Sequence, residues 1–196
     1  MSIRNELLEK AFQDGVPSVN EAETIKGCKF TQDQEFIVDI ANPLYVLYEL
    51  PPGEEVTVEL IKRLFKTDDA GADMLILWDY DVSTATKTPL ATFNENNEFR
   101  GVKDSAFEVS LLNPSTLDPV TGVRTLTGAA TIIDDGIVRE PSFISTSGKG
   151  NNTTGDVDPA LGFRRYKPGT GYLFKVTSRA NDNKISVGYT WTETGC

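Results

Sequence analysis

Two short acidic pairs are the first residues whose type and spacing could do chemistry. Asp79-Tyr80-Asp81 follows a strongly apolar run, and Asp156-Val157-Asp158 follows a Gly/Asn-rich stretch. Carboxylates two residues apart at a strand end can hold a hard cation, and they also mark ordinary solvated turns. The second pair has Asn151 and Asn152 nearby as further oxygen donors, but it lacks the spacing and terminal Glu of an EF-hand loop. Gly148-Lys149-Gly150 lacks the spacing of a phosphate-binding loop and does not open a helical pattern. Arg164-Arg165 beside Tyr166 reads as a strand edge or an interface ion pair rather than an anion site. Trp78, Tyr80, Tyr189 and Trp191 could stack on a sugar. Large aromatics in alternating apolar runs more often fill the space between two sheets, and that is the reading adopted.

The chain has no histidine, which removes His-based triads, His zinc sites and the usual general base near neutral pH. Without histidine an enzyme would need convergent carboxylates, and nothing in the spacing of Asp79 and Asp81 makes them converge. No catalytic residue, metal or cofactor is assigned, and a non-enzymatic protein is expected. The two cysteines, Cys28 and Cys196, cannot form a four-ligand zinc site. The start, Met1-Ser2-Ile3-Arg4-Asn5-Glu6, lacks a secretory pattern, so both are read as free thiols. The alternative is a bond stapling the C-terminus to the N-terminal segment. Nineteen Lys and Arg against 29 Asp and Glu leave a net charge of −10, whose field repels phosphate backbones and anionic membranes. Neither nucleic acid nor membrane is an expected partner.

The elements that must carry these residues follow from the apolar pattern. Over residues 2–14, Ile3, Leu7, Leu8, Ala11 and Phe12 form one helical stripe, ended by Gly15 and Pro17. Such a helix is marginal alone in water, so Ile3, Leu7, Leu8 and Phe12 must dock on their own domain or on a neighbouring subunit; docking on a partner is the expectation carried forward. Residues 16–34 read as a connecting arm, dividing the chain into an N-terminal helix and arm (1–34) and a second unit (35–196).

From Glu35 onward short β-type runs alternate with Gly, Pro, Asn and Asp clusters. The expected strands are 36–41, 44–50, 56–65, 74–80, 107–112, 123–133, 142–146, 163–166, 172–177 and 184–192. Val56, Val58, Leu75, Leu77, Leu173, Phe174, Val176, Val187 and Trp191 are expected in the core or in subunit seams. Many short strands without interleaved helices predict an all-β fold, an antiparallel sandwich or jelly roll. Residues 81–105 and 146–162 lack strand patterning. Loops of that length are commonly functional, and Asn96, Asn97, Arg100, Lys149, Asn151 and Asn152 are their candidate contact residues.

Several segments, read together over roughly 44–193, resemble small virion proteins of tailed bacteriophages, the head-decoration or cement type with a jelly-roll-like sandwich. They include Leu50-Pro51-Pro52-Gly53, Leu75-Ile76-Leu77-Trp78-Asp79-Tyr80, Asn96-Asn97-Glu98-Phe99-Arg100 and Gly136-Ile137-Val138-Arg139-Glu140. The most specific part is the close: Pro168-Gly169-Thr170, a strand, the turn Asn181-Asp182-Asn183, and a strand ending Trp191-Thr192-Glu193. The resemblance implies a virion protein made in the host cytoplasm, with the major capsid protein, other virion subunits or further copies of itself as partners. Decoration of the outside of the head is the leading expectation, and a collar, tail or fibre component with an adhesive or carbohydrate-binding role is the alternative. The acidic charge independently disfavours a DNA-lined interior.

Overall fold

The computed structural model describes residues 28–67, 71–95, 104–144, 154–156 and 165–194. The expected helix, with Ile3, Leu7, Leu8 and Phe12, lies outside the described residues. Among those described there is no helix; the elements are β1 (Lys29–Val38), β2 (Leu44–Leu50), β3 (Thr57–Thr67), β4 (Ala72–Trp78), β5 (Thr88–Pro89), β6 (Phe93–Asn94), β7 (Glu108–Leu111), β8 (Ser115–Leu117), β9 (Arg124–Leu126), β10 (Ile137–Ile144), β11 (Thr154–Asp156), β12 (Arg165–Tyr166), β13 (Thr170–Ser178) and β14 (Asn183–Thr194).

These strands pair into two sheets. The first runs β11-β3-β14-β1-β9-β8, with β12 also on β3 and β6 on β1; the second runs β10-β4-β13-β2-β7-β5. The pairing of β1 with β9 is parallel, whereas β1 with β14, β3 with β14, and β13 with both β2 and β4 are antiparallel. With β5 to β9 set aside, the order β11-β3-β14-β1 in one sheet and β10-β4-β13-β2 in the other is jelly-roll connectivity, in which the first and last strands are neighbours.

Period-two alternation fills the space between the sheets. Phe36 and Val38 of β1, Val187 and Trp191 of β14, Val46 and Tyr48 of β2, and Phe174 and Val176 of β13 all belong to one buried cluster. On β3 the inward positions change parity, from Val58 and Leu60 to Phe65, because a bulge at Ile61 interrupts the register with β14.

The β4–β10 connection carries β5 to β9 and covers the outer face of the second sheet. There Tyr45, Leu47, Leu77 and Leu173 form a second buried cluster with Val82 and Leu112, and Leu75, Tyr80, Ala85, Ala130 and Ile132 pack against it. With both faces covered, β2 reads as the nearly unbroken apolar run Leu-Tyr-Val-Leu-Tyr-Glu-Leu. Leu75, Leu77 and Leu173 therefore meet the chain's own insertion.

Three expectations need correction. The arm expected to reach residue 34 ends earlier, since Lys29–Gln34 already belongs to β1. The inward Gln32 hid this strand: its Oε1 accepts from the Tyr48 hydroxyl at 3.0 Å, and its Nε2 donates to the Val187 carbonyl at 3.4 Å. The expected strand over 123–133 shrinks to Arg124–Leu126, because the residues after it pack against the second sheet. Finally, Cys28 is disulfide-bonded, not free; Cys196 is the only other cysteine in the sequence. The Cys28 carbonyl accepts the Glu193 N–H at 2.9 Å, so the pairing of first and last strands sets Cys28 beside the end of β14.

Candidate interaction surface

The closing segments of the sequence, from the Pro168-Gly169-Thr170 turn to Glu193, build the scaffold. Trp191 and Glu193, two apart on β14, both point inward. Glu193 Oε1 accepts from the Trp191 indole at 3.2 Å, the Ser105 hydroxyl at 2.6 Å and the Phe107 N–H at 3.2 Å, while Oε2 accepts from the Ala106 N–H at 3.2 Å. A 1 % exposed carboxylate thus ties the approach to β7 onto the last strand. In the Pro168-Gly169-Thr170 turn, the Thr170 hydroxyl donates to the Lys167 carbonyl at 2.6 Å, and the Gly169 N–H reaches the Leu50 carbonyl at 2.8 Å. Gly169 holds φ +77°, a value that favours glycine.

The Asn181-Asp182-Asn183 turn knits one end of the sandwich. Asn181 Oδ1 accepts the Ile40 N–H at 3.2 Å, and Asp39 Oδ1 accepts the Asp182 N–H at 2.8 Å. Buried Asn183 donates to the Gly71 carbonyl at 3.0 Å and to the Ser178 hydroxyl at 2.9 Å, and accepts from the Thr67 hydroxyl at 3.2 Å. The β1–β2, β3–β4 and β13–β14 connections are thereby fastened together.

The candidate chemical residues separate rather than converge. Asp81 Oδ1 accepts the Ser83 N–H at 3.0 Å, and that bond, then the Ser83 side chain, holds its carboxyl below the usual range. Asp79 sits at φ +56° beside it, and no group of three or more His, Cys, Asp or Glu placed to hold a metal occurs among the described residues. Asp156 is described only as part of β11, and Asp158 lies outside the described residues. Arg165 is paired with Glu59 at 3.6 Å on edge strand β12, the strand-edge role read from sequence. The four aromatics make no common platform. Tyr189 and Trp191 are in the core, Trp78 stacks on buried Tyr166 at 6.3 Å between ring centroids, and Tyr80 packs on the opposite side of the second sheet. Burial, reinforced by the Glu49 charge, pushes the Tyr80 hydroxyl up to about 12.

A polar clasp that the sequence did not reveal fastens the insertion. Asp135 pairs with Lys175 and accepts from the Tyr45 hydroxyl at 3.1 Å, with the ammonium 5.2 Å from the Tyr45 ring centroid. Burial opposes the Lys175 charge, but the bonds to Asp135 and Tyr45 outweigh it and raise its pKa. Asp135 lies ninety positions from Tyr45, so no local spacing could have shown the pair.

The middle of the outer face of the first sheet is only partly buried. Its rows are set by register: Glu35, Ser186 and Lys66; Asp33, Gly188 and Leu64; Thr31 and Thr190. Asp33 and Lys184 are exposed, and Thr31, Glu35, Ile37, Leu64, Lys66, Ser186 and Thr190 are half-buried. Where Gly188 carries no side chain, a shallow groove of about 210 Å³ opens between Asp33 and Leu64. The candidate contacts Asn96, Asn97, Arg100, Lys149, Asn151 and Asn152 all lie outside the described residues. No family model, curated protein or solved structure matches the chain significantly.

Proposed function

We propose that the chain is a non-enzymatic structural subunit of a bacteriophage virion, a decoration or cement protein bound to the outside of the head. The observation that carries this reading is where its chemistry-capable residues are spent. The carboxylates, amides and aromatics of the closing segments fasten strands and turns, with Glu193 at the approach to β7, Asn183 at the loop end and Trp191 in the core, and Asp135 does the same at the insertion. Such a body is acidic, and one sheet is covered by its own insertion while the middle of the other sheet's outer face is only partly buried. Those are the properties of a subunit that works by occupying a surface. Nothing favours the adhesive alternative, since Trp78 and Tyr80 lie on opposite sides of the second sheet.

The test is to incubate the full chain with undecorated capsids and count bound copies after sedimentation. Saturable binding at a fixed number of copies per capsid is the expected result. Absence of binding, together with retention on a glycan array, would replace the decoration reading with the adhesive one.

A further inference from the structure

We propose that the open face of the first sheet is a self-complementary docking surface, on which a second copy of this chain packs face to face about a two-fold axis running along β14.

The argument starts from the order of charges across three strands. β14 is central, with β1 on one side and β3 on the other. Its outward residues near the middle are small: Ser186, Gly188 and Thr190. β1 places Asp33 and Glu35 on one flank, and β3 places Leu64 and Lys66 on the other, in the same rows. Over these rows the face is thus acidic on one side of β14 and apolar to basic on the other.

Rotation about an axis along β14 lays β1 of one copy over β3 of its partner and keeps every row in place. Glu35 then meets the second copy's Lys66, and the same contact repeats on the other side of the axis. An axis across the strands would instead stack β1 on β1 and oppose Asp33 and Glu35 to their own copies, which like-charge repulsion disfavours. Charge order therefore selects one of the two packings. Small residues on the axis at 186–190 allow it, because residues there meet their own symmetry mates; Gly188 and Ser186 leave room for close approach, Leu64 supplies apolar contact on each side, and Lys184, further along the axis, has its charge paired with Glu35 at 2.7 Å. A Cβ at Gly188 would stand 3.3 Å from both Asp33 Oδ1 and Leu64 Cβ, so the notch is shaped by the groups that would line the contact.

The second sheet is no competitor, since the insertion covers its outer face. Nor is its edge strand β10, which carries Pro141 and a register irregularity at Arg139, devices that blunt strand-to-strand pairing.

Three strands of about ten residues make a face of roughly 14 by 33 Å, smaller than the ~800 Å² per partner of a standard interface. The dimer is accordingly expected to be weak in free solution, with a Kd on the order of 10–100 µM, and sensitive to salt. The inference does not rest on capsid binding and is tested without capsids.

The experiment is sedimentation equilibrium of the full chain and of Glu35→Lys, Lys66→Glu and Ser186→Arg, with circular dichroism as the check on folding. Each single charge reversal turns two attractive contacts into two repulsive ones, and Ser186→Arg sets two guanidinium groups against each other on the axis. Each is expected to weaken the dimer at least about ten-fold. Mixing Glu35→Lys with Lys66→Glu should restore association: the two reversed positions then face each other with opposite charges, and on the other side of the axis the native pair is intact. Glu35 also holds Lys184 at 2.7 Å; if its reversal impairs folding, Lys66→Glu and Ser186→Arg decide the matter alone. A wild-type chain monomeric at about 0.5 mM, well above the expected Kd, overturns the proposal. So does a dimer that both of those variants leave unchanged.

Discussion

Glu193, part of the distinctive close of the sequence, is a structural residue in the fold. Its carboxylate accepts four hydrogen bonds while only 1 % exposed, so removing it takes the acceptor from the buried Trp191 indole and the half-buried Ala106 N–H and leaves the Phe107 N–H only the Ser105 hydroxyl. Glu193→Ala is expected to destabilise the fold by about 3–5 kcal/mol, and Glu193→Gln, which keeps one good acceptor, by roughly half of that. Urea denaturation of the two variants checks this; a cost under about 1 kcal/mol for both would show that water replaces the carboxylate. The Trp-x-Glu spacing was legible because residues two apart on a strand share a face. Its partner at 105–107 was not, since those residues lie far away in the chain.

Among the elements, the β4–β10 insertion turns a simple jelly roll into one with a sealed face. Its return point is Gly136, at φ +84°, where a Cβ would stand 2.1 Å from the Trp78 carbonyl oxygen and 2.9 Å from the Tyr80 nitrogen. Gly136→Ala must therefore move backbone at the start of β10 as well as adopt a left-handed conformation. The expected cost is about 2 kcal/mol or more, with amide exchange accelerating first in residues 134–138 and at the Asp81–Asp134 bridge. Uniform acceleration across both sheets would instead mean that the insertion opens only with the whole domain. Periodicity marked Leu75, Leu77 and Leu173 as buried. It could not distinguish an external seam from an internal cover, because both bury the same alternate positions.

At the scale of the whole molecule, the core is rich in tyrosine. Burial raises the hydroxyls of Tyr48 and Tyr172 well above their ordinary value of 10, raises that of Tyr45, and brings Tyr80 to about 12. A group whose pKa is raised on folding contributes stability below its unfolded value and loses it as pH climbs through the folded one. Stability should thus hold up to about pH 10 and fall between about pH 10 and 12 as the unfolded chain gains the advantage of ionised tyrosines. A phenolate absorbance titration followed alongside circular dichroism should show these tyrosines ionising together with unfolding. Early ionisation of all six with the β signal intact would contradict their burial.

The sequence by itself determined the all-β character of the described residues, because alternation at period two and closely spaced turn residues are local signals. It also determined the absence of histidine chemistry and the acidic field, which depend on composition alone. Only the tertiary structure decided which alternate faces meet. It recruited Lys29–Gln34 into β1, bonded Cys28 in a disulfide, and set Glu35 and Lys66 on opposite flanks of Ser186. Each of these depends on the jelly roll bringing the last strand between β1 and β3. That pairing spans more than a hundred residues, and its stabilisation comes from burying two sheets against each other, so no local pattern carries it.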